Sequence, residues 1–189
     1  MKKEIEKKFL IKDANHFEQL IAEIINGGGK KLESKKIIQA YMSIDEKNLS
    51  CWRVRITEKS KNGVSDIKAN WTFKIATGSA ELRGEEEGDM PFDQANALIS
   101  ATNRVIQKTR HVFEYRGSIL EIDEFEKSLS GLYLLEIEKQ SVDDFLKLEL
   151  PRCIEPTSDV TSLEMYRNDF LSRLAEQYAE KNSKKAFKI

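Results

Sequence analysis

Charged side chains recur at alternate positions in one extended segment of this chain after another. They stand in Glu4-Ile5-Glu6, Arg53-Val54-Arg55, Thr72-Phe73-Lys74, Arg83-x-Glu85-x-Glu87, Lys108-Thr109-Arg110, Glu121-Ile122-Asp123 and Glu136-Ile137-Glu138. In a strand, residues two apart share a face. An ordinary half-buried sheet turns its apolar face to the core and its charged face to water. Here amphipathic helices also need an apolar face to cover, which admits a second solution. If the sheet closes on itself, the charged face lines a bore and the Ile, Val and Phe face packs outward beneath the helices.

Eight segments carry the strand pattern: 2–12, 33–43, 49–58, 69–77, 80–89, 104–115, 118–127 and 131–140, with turns at Asn62-Gly63 and Arg116-Gly117. Asp13 is placed to cap a helix whose stripe is Phe17, Leu20, Ile21, Ile24 and Ile25, stopped by Gly27-Gly28-Gly29. Pro91 suits the first turn of a second, with Phe92, Ala95, Leu98 and Ile99 on one side. Thr161-Ser162-Leu163-Glu164 reads as a capping box ahead of Leu163, Tyr166, Phe170 and Leu174. A short helix near 142–149 ends at Pro151. The expected class is α+β: a closed eight-stranded antiparallel tunnel with a charged bore, flanked by helices. One domain is expected over 1–180, followed by a frayed basic tail at 181–189.

The charge balance, 31 Lys+Arg against 32 Asp+Glu, lacks the basic excess of a nonspecific nucleic-acid binder. No apolar run reaches the length of a membrane span. Cys51 and Cys153 form no CxxC or zinc spacing and read as free thiols in a reducing compartment. The glycine-rich stretch after residue 26 lacks the GxxxxGK[ST] pattern of a phosphate loop. These features suit a cytoplasmic monomer or homodimer whose partner is a small molecule.

Closing the sheet would bring Lys8, Arg53, Arg55, Lys74, Arg83, Lys108 and Arg110 together with Glu4, Glu6, Glu85, Glu87, Glu121, Asp123, Glu136 and Glu138. At an effective dielectric of about 20, each close pair of charges is worth about 4 kcal/mol, so like charges need partners. Mutual pairing supplies some. A polyanion on the bases and hard cations on the acids would supply the rest. Oxygen ligands without His or Cys select Mg²⁺ or Mn²⁺ over zinc. Several arginine forks match a chain of phosphates, and cationic clamping with a bound metal stabilises a transferring phosphoryl group. His111 falls on the face opposite Lys108 and Arg110 and reads as structural or exposed, and Trp52 and Trp71 alternate with charged positions and read as packing. Tyr41 reads either as core edge or as a hydroxyl for a phosphate oxygen. Lys30, Lys31, Lys35 and Lys36 read as solvated, or as a basic mouth that steers anions.

Glu4-Ile5-Glu6-Lys7-Lys8 resembles the ExExK signature of the CYTH superfamily, the triphosphate tunnel metalloenzymes. The likeness continues in order through Gln39-x-Tyr41, Arg53-Val54-Arg55, Thr72-x-Lys74, Arg83-x-Glu85-x-Glu87, Lys108-x-Arg110, Glu121-Ile122-Asp123-x-Phe125, Glu136-Ile137-Glu138 and Tyr166-x-Asn168, covering about residues 2–170. It implies a triphosphate-hydrolysing tunnel using Mg²⁺ or Mn²⁺. Glu4, Glu6 and Glu138 would hold the metal directly. Asp123, Glu136, Glu85 and Glu87 would serve a second metal, its waters, or the positioning of the bases. Lys8, Arg53, Arg55, Lys74, Arg83, Lys108 and Arg110 would grip phosphates, with Tyr41 beside them. Lys8, Glu85, Glu87 and Asp123 are the catalytic candidates. The 121–125 and 131–138 stretches are more similar to the bacterial inorganic triphosphatase branch than to class IV adenylyl cyclases. Inorganic tripolyphosphate is therefore the leading substrate, with nucleoside or thiamine triphosphate beside it. Cyclisation of ATP to cyclic AMP and noncatalytic polyphosphate or nucleotide binding are the alternatives. The chain departs from the family at Leu120, at Glu124 and in a long 57–70 connection. Leu120 and Glu124 should face outward.

Overall fold

Alternation and punctuation together produce the elements seen in the computed structural model, which describes residues 2–45, 50–61, 64–76, 82–139, 141, 143–146 and 148–186. The strands are β1 (Lys2–Ile11), β2 (Lys30–Asp45), β3 (Ser50–Lys61), β4 (Val64–Ala76), β5 (Leu82–Asp89), β6 (Val105–Tyr115), β7 (Ser118–Phe125) and β8 (Tyr133–Lys139). The helices are α1 (Ala14–Asn26), α2 (Phe92–Ser100), α3 (Asp143–Leu146) and α4 (Asn168–Ala186). Asp13 caps α1 by accepting the His16 N–H at 2.9 Å. Gly29 closes that helix by donating to the Ile24 carbonyl at 2.8 Å; a Cβ there would meet Ile24 Cγ2 at 2.6 Å. Arg116 and Gly117 both take positive φ, 47° and 72°, which suits the two-residue turn between β6 and β7. The Asn62-Gly63 turn lies outside the described residues. The long 57–70 connection consists of extended β3 and β4, which stay paired out to Lys61 and Val64.

Three expectations are corrected. Pro91 flanks α2 in an extended conformation instead of entering its first turn. Thr161 caps no helix, because 164–166 is a short 3₁₀ turn and α4 begins at Asn168; the threonine hydroxyl has another partner, described below. Helix α4 runs on to Ala186, through much of the stretch expected to fray. Among the described residues no helix is long and apolar enough to cross a membrane.

All pairings between the strands are antiparallel, in the order β1-β5-β4-β3-β2-β6-β7-β8, with β1 also paired to β8. The β1/β8 ladder runs from Ile5 to Ile11, but β1 meets β5 only over Lys2–Ile5. Past that point the β1 edge is taken by 159–161. Val160 N–H donates to the Lys8 carbonyl at 2.8 Å, and the Lys8 N–H donates to Thr161 Oγ1 at 3.0 Å.

Apolar residues pack on both faces. Outside, Leu20 and Ile24 of α1 lie on Phe9, Phe113, Leu120, Ile122, Leu135 and Ile137, while Ala95 and Ile99 of α2 lie on Ala40, Val54, Ile56 and Ala69. Full burial of Leu20 and Ile24 stabilises by about 1.5–3 kcal/mol each. Leu120 thus faces outward, as expected. A third cluster has the inward parity: Leu10, Tyr41, Cys51, Ile106, Phe125 and Leu134 pack with Leu171 and Ala175 of α4. One end of the inner face is therefore apolar and stoppered by α4, where the sequence pattern had suggested charge alone.

Candidate active site

Above that stopper the inward positions enclose a cavity of about 260 Å³. Among the described residues, seven formal cations line it (Lys8, Lys35, Arg53, Arg55, Lys74, Arg110 and Arg167) against seven formal anions (Glu6, Glu85, Glu87, Glu121, Glu136, Glu138 and Asp169). Tyr41, Cys51 and Asn168 complete the wall.

The strand register pairs most of these charges. Lys8 faces Glu136 across β1 and β8, and its Nζ donates to Glu136 Oε1 at 2.7 Å, with Glu6 at 3.5 Å. Arg110 Nε donates to Asp123 Oδ1 at 2.6 Å; its other nitrogens reach Asp123, Glu136 and Glu121. Arg53 Nη2 donates to Thr72 Oγ1 at 2.7 Å and lies 3.8 Å from Glu85, which is also 3.5 Å from Lys74. Burial would lower the Lys8 ammonium, but Glu136 and Glu6 outweigh it and hold it above its ordinary value. Burial likewise pushes Glu136 up, yet Lys8, Lys108 and Arg110 hold it well below the usual carboxylate range.

Arg55 is different. Its Nε and Nη2 donate to Gln39 Oε1 at 3.1 and 2.9 Å, and among the described residues it has no carboxylate partner. Gln39 in turn donates to the Tyr41 hydroxyl at 3.0 Å. Burial, and then the neighbouring Arg53 and Arg110, push the Arg55 guanidinium down to about 9. A cation so placed favours the arrival of an anion.

The structure thus brings Lys8, Arg53, Arg55, Lys74, Arg110, Tyr41, Glu6, Glu85, Glu87, Glu136 and Glu138 to one cavity. It does not bring Lys108 and Asp123 there. Both are fully buried and ion-paired, with Lys108 Nζ 5.2 Å from the centre of the Phe125 ring. Asp123 and Glu136 turn their oxygens to Lys8, Lys108 and Arg110. The side chains of Glu4 and Arg83 lie outside the described residues. His111 accepts or donates a hydrogen bond at Ser34 Oγ, 2.9 Å away, and contacts Phe17 of α1, consistent with packing. Trp71 packs on Gly88, and Trp52 lies beside the α2 cluster.

Sequence reasoning missed Cys51, Arg167 and Asp169 as lining residues. Tyr166-x-Asn168 marked the neighbourhood, but nothing in the pattern shows that the start of α4 turns into the cavity. Lys35, read as solvent or mouth, lines it between Glu33 at 3.3 Å and Glu121 at 3.7 Å.

Glu6 and Glu138 are register partners on β1 and β8 and both line the cavity. Their oxygens fit a hard divalent cation. Among the described residues no group of three or more His, Cys, Asp or Glu is gathered for a metal, so this pair supplies only part of a shell.

The chain is 30% identical over 142 residues to an inorganic triphosphatase of Acetivibrio thermocellus, covering 73% of this chain and 75% of that one. It superposes on the crystal structure of the inorganic triphosphatase NE1496 with a TM-score of 0.56 at 24% identity, over 89% of this chain and 93% of that one. The PH1012 protein from Pyrococcus horikoshii OT3 gives a TM-score of 0.63 at 21% identity, over 85% and 96%. No family model matches the chain.

Proposed function

We propose, since the chain belongs to the CYTH-like superfamily of triphosphate tunnel proteins, that it hydrolyses a triphosphate, inorganic tripolyphosphate foremost, with Mg²⁺ or Mn²⁺. In this reading the curled sheet works as a tunnel, sealed along the β1 edge by residues 159–161. The observation that carries it is Arg55: a half-buried guanidinium on the cavity wall whose partner among the described residues is a neutral amide. A phosphate oxygen would supply the missing charge. The volume supports a compact anion, since about 260 Å³ falls below the roughly 300–1,000 Å³ of drug-sized ligand sites.

Lys8, Arg53, Arg55 and Arg110 would bind and orient the phosphate oxygens, with Asp123 and Glu136 holding Lys8 and Arg110 in place. Glu87, exposed on the wall and without an ion pair among the described residues, would accept the proton of an attacking water. The described lining is already balanced, so a polyanion would tip it negative unless cations came with it. Glu6 and Glu138, with Glu4, would hold that cation. When bound, it supplies Lewis-acid stabilisation of developing charge and a more acidic water.

The test is phosphate release from tripolyphosphate, ATP and thiamine triphosphate with each metal, beside chromatography for cyclic AMP. Glu6→Gln is expected to lower tripolyphosphate turnover by roughly 100-fold or more. Unchanged turnover in that variant, tight binding without release, or cyclic AMP as the main product would each overturn the reading.

A further inference from the structure

Arg167 stands where a cation is out of place. Its carbonyl accepts the Leu171 N–H at 2.9 Å, so it immediately precedes the first turn of α4, where the helix dipole favours negative charge. Asp169, buried in that first turn, makes the position tolerable. Arg167 Nε donates to Asp169 Oδ1 at 3.0 Å and Nη2 to Oδ2 at 2.7 Å, a two-pronged pairing that fixes the guanidinium plane. This leaves Nη1 with no partner among the described residues.

The position also marks where the cavity stops. Tyr41 and Cys51 line it and belong to the apolar cluster with Leu171 and Ala175, so polar wall passes into stopper at the start of α4. Among the described lining residues, the donor Arg53 Nε is buried without a hydrogen-bond partner, as is the acceptor Asn168 Oδ1. Buried polar groups are otherwise nearly always paired, and an open donor such as Arg53 Nε on a cavity wall points to a ligand oxygen.

We propose that Arg167, held in plane by Asp169, binds the far phosphoryl group of a linear polyphosphate at the closed end of the cavity and so sets the chain length the site prefers. The inference rests on the triphosphate reading above and adds a residue that discriminates between chain lengths. On this proposal a three-phosphate chain gripped by Lys8, Arg53 and Arg55 would reach Arg167, and a two-phosphate chain held by the same residues would not.

The experiment compares the full-length protein with Arg167→Gln and Arg167→Lys. Dissociation constants for tripolyphosphate and pyrophosphate come from calorimetry with calcium as the hard cation, and KM and kcat for tripolyphosphate from assays with magnesium. Loss of one charge-assisted hydrogen bond predicts a roughly 10- to 100-fold weaker tripolyphosphate Kd in Arg167→Gln. Pyrophosphate binding should move less than about 3-fold, and Arg167→Lys should fall between. A purely structural role would weaken both ligands equally, and that result overturns the proposal, as does unchanged tripolyphosphate binding. If Arg167→Gln fails to fold, the ratio of the two constants in Arg167→Lys decides in the same way. Wild-type protein that binds neither ligand overturns the triphosphate reading itself. Wild-type binding with an unmoved ratio in the variants overturns only the role of Arg167.

Discussion

Lys8 and Lys108 occupy equivalent inward positions on β1 and β6, and the structure treats them oppositely. Lys8 lines the cavity, shares Glu136 and Glu6, and is held above its ordinary pKa. Lys108 lies one layer deeper, against Phe125 and an Asp123 that it shares with Arg110. Burial, and then the adjacent Arg110, push its ammonium down to about 8 in spite of Asp123 and Glu136. Alternation along a strand decides which face a charge takes. Depth, and the number of carboxylates per cation, decide what the charge can do there.

The largest effect expected from breaking this contrast is on the deep layer. Asp123→Asn leaves Lys108 without its anion and leaves a single neutral acceptor oxygen for Lys108 and Arg110 to share, while the pairing of Lys8 with Glu136 survives. Removing one partner of a buried ion pair costs about 3–5 kcal/mol, and each kcal/mol shifts the melting temperature of a chain this long by about 2–4 °C. Denaturant and thermal unfolding should therefore show a melting temperature lower by about 10 °C or more. A loss under about 1 kcal/mol would mean that Asp123 is not the keystone of the layer.

The second effect sharpens the contrast through pH. With its folded pKa below the unfolded value of 10.5, Lys108 sheds its proton sooner in the native state. The unfolded chain then binds more protons between pH 8 and 10.5, so this group makes stability rise with pH across that window, by up to about 1.4 kcal/mol per unit. Lys8, with a raised folded pKa, works the other way. Its contribution is complete below 10.5 and is lost as pH climbs beyond. Unfolding free energies of wild type minus Lys108→Met, measured by urea from pH 7.5 to 10, should climb toward alkaline pH. A flat or falling difference would contradict the assignment.

The same contrast explains what could be read before any coordinates. Strand alternation placed Glu6, Lys8, Arg53, Arg55, Lys74, Glu85, Arg110, Glu136 and Glu138 on one face, because a period of two is a local property of the backbone. It could not rank them by depth. Lys108-Thr109-Arg110 and Glu121-Ile122-Asp123 look alike as patterns, yet the register sets Lys108 opposite Phe125 and Arg110 opposite Asp123. Register and tilt join residues distant in sequence, which is why Lys108 and Asp123 were expected in the cavity. Arg167 and Asp169 were illegible for a related reason: their place on the cavity wall depends on α4 ending the inner apolar cluster, a packing event with no spacing signature. Thr161 misled in another way. A Ser/Thr-x-x-Glu stretch offers a capping hydroxyl, and in this fold a strand edge claims it first.

That edge gives the smallest test of the contrast, at the backbone of the two lysines. Lys108 sits in β6 between β2 and β7, opposite Ile37 and Phe125, and a ladder flanks it on both sides. Lys8 has β8 on one side and 159–161 on the other, where its N–H depends on the Thr161 hydroxyl at 3.0 Å. Thr161 is itself set by Asp159, whose Oδ1 accepts its N–H at 3.0 Å, while Asp159 Oδ2 accepts from Lys7 Nζ at 3.2 Å. Thr161→Val keeps the shape and removes the acceptor. The hydroxyl also donates to Asp159 Oδ1 at 2.5 Å, and at about 1 kcal/mol per bond global stability should fall by about 2 kcal/mol. Amide exchange resolves it better: the Lys8 N–H should exchange roughly 10-fold faster and the Lys108 N–H should barely change. Equal acceleration at both amides would mean that 159–161 is not the local support of the β1 edge and that the two lysines belong to one cooperative unit.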